Sequence, residues 1–141
     1  MLRHASGMAR TDTVELPLPS PYDQLGGAPA VRRLVDAFYD AMDADPDAAG
    51  IRRMHHADLG PIRDKLFDWL SGWAGGPQLY SQRPDRACIM SAHAPYAIGP
   101  AERDQWMGCM RTALDSLTLE PDVREMFETA FGRLANGLRN R

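Results

Sequence analysis

The sequence predicts an all-α domain, and three observations carry that reading. Apolar residues return every three or four positions in four separate stretches, which is the spacing of one buried helix face. No stretch alternates apolar and polar residues with the period of two that a half-buried strand needs. Proline and glycine fall at the edges of the periodic stretches, where they start and stop helices without breaking them. The segments between the helices are irregular and too long for tight bundle turns, so the four long helices read as two pairs in a sandwich that holds something between its layers.

Met1 to Pro19 is polar, has no sustained period and ends in the proline-spaced Leu16-Pro17-Leu18-Pro19-Ser20; it reads as a flexible arm before a domain over 20–141. Ser20 with Pro21 behind it has the form of a helix start, stopped within about two turns by Gly26-Gly27. From Pro29, the residues Val31, Leu34, Val35, Phe38, Tyr39 and Met42 share one face, closed by Asp45-Pro46. Residues 46–60 show no clear period and contain the tandem His55-His56. Asp58-Leu59-Gly60-Pro61 opens a helix whose inner face is Ile62, Leu66, Trp69, Leu70 and Trp73, and Gly75-Gly76-Pro77 stops it.

Residues 78–92 are turn-like around Arg83-Pro84-Asp85 and then allow one helical turn or two before His93. Pro95 pushes Ala94 out of the helical region, so any helix carrying His93 ends there with its imidazole near an exposed edge. A new helix starts at Gly99-Pro100, with Glu102 in the first turn where unpaired backbone donors favour a carboxylate. Its stripe is Trp106, Cys109, Met110, Ala113, Leu114 and Leu117. The last helix starts at Pro121 and turns Val123, Met126, Phe127, Ala130, Phe131, Leu134 and Leu138 inward.

Composition narrows the function. At 141 residues the chain forms one domain able to enclose a bulky ligand. Its 44% hydrophobic and 25% charged residues are ordinary for a globular protein. A net charge of -3 without a basic stripe gives no footprint for nucleic acid. The first twenty residues carry no continuous apolar segment, so neither a leader peptide nor a membrane span is expected, and the cytoplasm is the default. Two cysteines without a CxxC suit a reducing compartment. There is no nucleophile elbow, phosphate-binding glycine loop or HExxH, which leaves hydrolase and kinase chemistry unsupported.

Each candidate residue has a plain structural reading beside its functional one. His93 suits a metal ligand, since neutral imidazole is the commonest ligand of iron or zinc, but a histidine at a helix end is also favoured by the dipole there. The paired spacing of a closed zinc site is missing among Cys88, His55, His56 and His93. Tyr39 and Trp106 are either packed rings or hydrogen-bond donors aimed into a ligand pocket. His55 and His56 fit an exposed loop, Lys65 a solvated helix rim, and Cys109 a packed thiol. For Cys88, neither a cation nor a helix start in the sequence argues for a lowered pKa. A single cavity would account for Tyr39, Trp106 and His93 together.

Three motifs in order, Phe38-Tyr39-Asp40-Ala41-Met42, the run WAGGPQLY at 73–80 and the run SAHAPYAIGPAERDQWMGCM at 91–110, resemble the second group of truncated haemoglobins. The resemblance covers roughly Tyr22 to Leu138. It implies a two-over-two helical sandwich enclosing haem b. On that resemblance His93, in His93-Ala94-Pro95-Tyr96, matches the family's proximal iron ligand; Trp106 matches the G-helix tryptophan over the distal side and Tyr39 the B-helix tyrosine. Ile62 and Leu66 match pocket-lining residues of the E helix, and Phe38, Trp69, Met90 and Tyr96 are assigned to the same apolar surround. Lys65 matches a basic residue that pairs with a haem propionate. The family's aromatic or histidine position in the loop falls on His55 with a one-residue gap, or on Met54 without it. The segment Arg83 to Ala92 departs from the family's Gly-His-Pro and arginines, leaving Arg86 as the substitute anchor.

The implied ligands are dioxygen, nitric oxide or carbon monoxide. Ferrous haem passes electron density to dioxygen, and hydrogen bonds from Tyr39, Trp106 and His55 would hold the partly negative oxygens. At about 1.5 to 3 kcal/mol for each bond to a charged group, two of them slow release roughly a hundredfold to ten-thousandfold. That favours redox chemistry on nitric oxide or peroxide, fed by an electron donor, over bulk oxygen transport. A haem-based sensor or store without turnover and a haem-free helical interaction module are the rival readings. A homodimer, and His55 or Tyr39 as a sixth iron ligand, stay open.

Overall fold

A computed structural model describes residues 18–141, and among these it contains seven α-helices and no strand. The predicted arm lies outside the described residues except for Leu18 and Pro19, which are exposed. The helices are α1 (Pro21–Leu25), α2 (Gly27–Ala44), α3 (Ala49–Arg52), α4 (Gly60–Trp73), α5 (Ile89–His93), α6 (Pro100–Asp115) and α7 (Pro121–Gly137), with short 3₁₀ turns at Pro46–Ala48 and Tyr80–Gln82.

Local chemistry sets the boundaries. Ser20 and Asp23 close a reciprocal capping box on α1, each side chain taking the other's backbone N–H. Gly26 and Gly27 then adopt positive φ (123° and 73°), a turn that side-chain-bearing residues resist, and α2 starts two residues ahead of the expected Pro29. Glu102 caps α6 by accepting from the Gly99 N–H at 2.8 Å. At the end of α4, Gly75 takes φ 94° and the Gly76 amide reaches back to Ser71 O at 2.8 Å.

Packing pairs α2 with α4 and α6 with α7, and joins the two layers through α2 on α6. The six predicted residues of α2 are all buried. The core between layers is aromatic at its centre: Phe131 meets Trp73 (5.0 Å, stacked), Trp106 (5.8 Å) and Phe127 (6.0 Å). Cys109 is buried here as expected, and burial pushes its thiol up to about 11.

Two predicted faces differ from the structure. On α7 the deeply buried residues are Phe127, Phe131 and Ala135, whereas Met126 is 36% exposed and Val123, Ala130, Leu134 and Leu138 are half-buried. That helix covers the edge of the sandwich, so only its central stripe is enclosed. On α4, Leu70 is buried with Ser71, while Ile62, Leu66, Trp69 and Trp73 keep part of their surface accessible. Helix α5 buries no residue and, among the described residues, packs substantially on no other helix.

Candidate cofactor and ligand site

His93 closes α5, and its half-buried ring is held by its own helix. Nδ1 lies 2.7 Å from Ile89 O, and because a carbonyl only accepts, Nδ1 carries the proton. In the neutral ring the lone pair therefore sits on Nε2, the arrangement a metal-ligating histidine requires. His55 repeats this construction with Nδ1 2.8 Å from Ile51 O. Burial first, with Arg52, His93 and His56 adding to it, holds the His55 imidazole below the usual histidine range, against the opposing bond to Ile51. Its Nε2 is thus an acceptor at neutral pH, which corrects the expectation that His55 donates a hydrogen bond to a partly negative ligand: its one ring proton is already given to Ile51 O.

Tyr39 is 4% exposed, and its hydroxyl has no hydrogen-bond partner among the described residues. Burial drives its pKa strongly upward, although the Arg63 guanidinium opposes this, so the phenol remains a donor throughout the ordinary pH range. Trp106 is half-buried, and its indole N–H likewise has no partner among the described residues. Phe38 joins the two, 4.9 Å from Tyr39 and 5.3 Å from Trp106, and the Tyr39 ring meets His55 at 5.8 Å. The three expected distal residues therefore form one connected group.

The expected surround is placed as follows. Ile62, Lys65, Leu66 and Trp69 share one face of α4, and Trp69 stacks on Trp73 at 5.9 Å. Met90 and Tyr96 flank His93 and are 54% and 42% exposed, unusual for side chains of that size. Lys65 pairs with Asp85 at 3.5 Å. Arg86, the substitute anchor, is exposed and donates to Arg83 O at 2.8 Å. Arg83 holds the segment instead, bound to Asp68 at 2.7 Å and to Asp85 at 2.9 Å. Cys88 corrects the sequence reading: it stands at the start of α5, where the Ser91 and Met90 amides draw its exposed thiol below the usual range.

Sequence reasoning passed over several supports. Gln105 Oε1 accepts from the Ile51 N–H at 3.0 Å and so fixes the turn that carries His55; a side chain at Gly50 would come within 2.7 Å of it. Arg63 bonds Asp36 and Asp40 and lies 5.9 Å from the Tyr39 ring centre. These contacts pair residues 23 to 54 positions apart, and no local pattern announces them.

The residues present fit haem. Among the described residues two buried or half-buried donors lack partners, an apolar face of α4 is left part-covered, and the His93 imidazole, with exposed Met90 and Tyr96 three residues to either side, carries its proton on Nδ1 and so leaves the lone pair on Nε2. Among the described residues no group of three or more histidines, cysteines or acids is arranged to hold a bare metal ion. A shallow apolar cleft of about 100 Å³ lined by Pro21, Trp73, Met126 and Phe127 uses none of these site residues.

A model of the bacterial-like globin family matches residues 20–140. The chain is 30% identical over 115 residues to the group 2 truncated hemoglobin YjbI of Bacillus subtilis, covering 82% of each chain. It superposes on the cold-adapted truncated hemoglobin of Pseudoalteromonas haloplanktis with a TM-score of 0.82 at 37% identity, over 86% of this chain and 98% of that one. The group II 2-on-2 hemoglobin of Agrobacterium tumefaciens gives a TM-score of 0.82 at 36% identity, over 89% and 98%.

Proposed function

Since the chain belongs to the bacterial-like globin family, among its group II truncated haemoglobins, and so is a protein of haem b and small gaseous ligands, we propose that its site serves redox chemistry more than bulk oxygen transport. His93 would hold the iron through Nε2. Tyr39, Trp106 and His55 would form the distal group, with Phe38, Ile62, Leu66, Trp69, Met90 and Tyr96 against the faces and edges of the ring. Lys65 would serve a propionate, released from its 3.5 Å contact with Asp85. When bound, ferrous haem supplies the electron density that leaves a diatomic ligand partly negative.

One observation carries the reading: among the described residues neither the Tyr39 hydroxyl nor the Trp106 indole N–H has a protein acceptor, and the two rings are joined by Phe38. An unsatisfied buried donor costs about 1 to 3 kcal/mol, and a ligand that accepts from it recovers that cost. His55 is held neutral, so it adds an acceptor or a second ring wall without adding charge. Two convergent donors stabilise a partly negative ligand and retard its loss. Retention suits a reaction completed in place, such as conversion of nitric oxide and dioxygen with one external electron to nitrate, or two-electron reduction of peroxide to water. Both need an electron donor. The two unpaired cysteines support a reducing compartment. No described helix is long and apolar enough to cross a membrane.

The test mixes the haem-loaded, reduced protein with dioxygen and then nitric oxide, and follows nitrate. Stoichiometric nitrate formed at near the rate of mixing is the expected result. Slow dioxygen release without nitrate formation would favour a sensor or store.

A further inference from the structure

Because α5 carries His93 but fully buries none of its residues and, among the described residues, packs substantially on no other helix, whatever holds its two ends fixes its position. Upstream, the Tyr80 hydroxyl donates to Ala87 O at 2.9 Å and accepts from the Ala87 N–H at 3.0 Å. Downstream, the residue in contact is distant in sequence. Asn140 Oδ1 accepts from the Ile98 N–H at 2.9 Å, and Nδ2 donates to Tyr96 O at 2.7 Å. The Asn140 and Arg141 backbone N–H groups both donate to Ile98 O, at 2.8 and 3.1 Å. The Tyr96 N–H in turn donates to the carbonyl of His93 at 3.0 Å.

A continuous run of hydrogen bonds therefore joins Asn140 to the main chain of His93. Both ends of one planar amide are engaged, an acceptor toward Ile98 and a donor toward Tyr96. Aspartate keeps only the first and alanine keeps neither. We infer that Asn140 is a positioning residue for the His93 imidazole: by pinning Tyr96 and Ile98 it sets where α5 ends and the direction in which Nε2 is presented. The inference rests on His93 being the iron ligand.

Asn136 supplies the control. It lies one helical turn earlier, bonds Arg103, and makes no hydrogen bond to the loop 94–99, so its replacement perturbs the same tail without touching the clamp. The iron–histidine stretching band of the reduced, ligand-free haem protein is recorded by resonance Raman for the wild type, Asn140→Ala, Asn140→Asp and Asn136→Ala, with hydrogen exchange read at the Ile98 amide. Asn140→Ala is expected to shift and broaden the band and to speed exchange at Ile98 on the order of tenfold, the loss of about one hydrogen bond. Asn140→Asp gives a smaller band shift and keeps most of the protection, while Asn136→Ala leaves both unchanged. If the alanine variant does not retain haem, the aspartate variant decides by the same band. An unshifted band in Asn140→Ala with faster exchange at Ile98 overturns the inference, as does an equal shift in Asn136→Ala. A wild-type protein that binds haem without such a band overturns the His93 assignment, and the inference with it.

Discussion

The Tyr39 ring meets the His55 imidazole edge to face, with centres 5.8 Å apart and planes at 71°. A phenol kept protonated and an imidazole kept neutral thus share one wall of the site, each held there mainly by burial. On the proposed function this pairing would put no net charge beside a diatomic ligand.

This neutrality has a measurable cost in acid. The folded pKa of His55 is lower than its unfolded value of about 6.5, so the unfolded chain takes up the proton first. The stabilising difference is present in full above that value and is lost as pH falls through the folded pKa. Urea unfolding midpoints should therefore decline as pH is lowered below about 6.5, and His55→Gln should flatten the decline over that window. An unchanged pH profile in the variant would show that His55 stays solvated.

Replacing Tyr39 by phenylalanine separates binding from folding. The hydroxyl bonds nothing among the described residues, so its removal should leave the unfolding midpoint unchanged or slightly raised. Dioxygen release, followed by stopped flow, should accelerate roughly tenfold to a hundredfold, the equivalent of one hydrogen bond to a charged acceptor. Trp106→Phe should act in the same direction, and the double variant should exceed either alone. A Tyr39→Phe protein that unfolds far more easily and releases oxygen at the parent rate would make the phenol a structural group.

Much of this was legible in the sequence, because helix faces and helix ends are local properties. The α2 stripe, the Ser20-Pro21 start and the Gly99-Glu102 start all follow from spacing and cap chemistry, and the structure has them. The His93 helix ends before Pro95 too, but Ala94 keeps helical dihedrals (φ -57°, ψ -36°) and bonds back to Met90 O, against the expectation that Pro95 pushes it out of the helical region. The partial burial of Ile62, Leu66 and Trp69 was not legible, since periodicity shows which face turns inward and not what covers it. Nor was the choice of Arg83 over Arg86 as the cation that ties this segment to α4: both are arginines three residues apart, and only the fold brings Asp68 within 2.7 Å of one of them. Cys88 was misread because a five-residue helix leaves too short a pattern to reveal its start.

Gly76 illustrates a constraint that its sequence context only half explains. Helix termination needs one glycine with positive φ, and Gly75 supplies it. A Cβ on Gly76 would lie 2.5 Å from the Tyr22 ring, so this second glycine exists for the close approach of α1 to the end of α4. Gly76→Ala should cost roughly 1 to 3 kcal/mol by thermal or urea unfolding, the range for overpacking. Tyr22→Ala in the same protein should relieve part of that cost in a double-mutant cycle.

On the proposed function the His93 imidazole would hold the iron through Nε2. The most direct measurement is the visible spectrum of haem-reconstituted His93→Gly with and without added imidazole, beside the parent protein. The parent is expected to show the Soret band of a histidine-bound haem, the variant to lose it, and free imidazole to restore it. A variant whose Soret position and intensity match the parent without imidazole would place the iron ligand on another residue and rule His93 out.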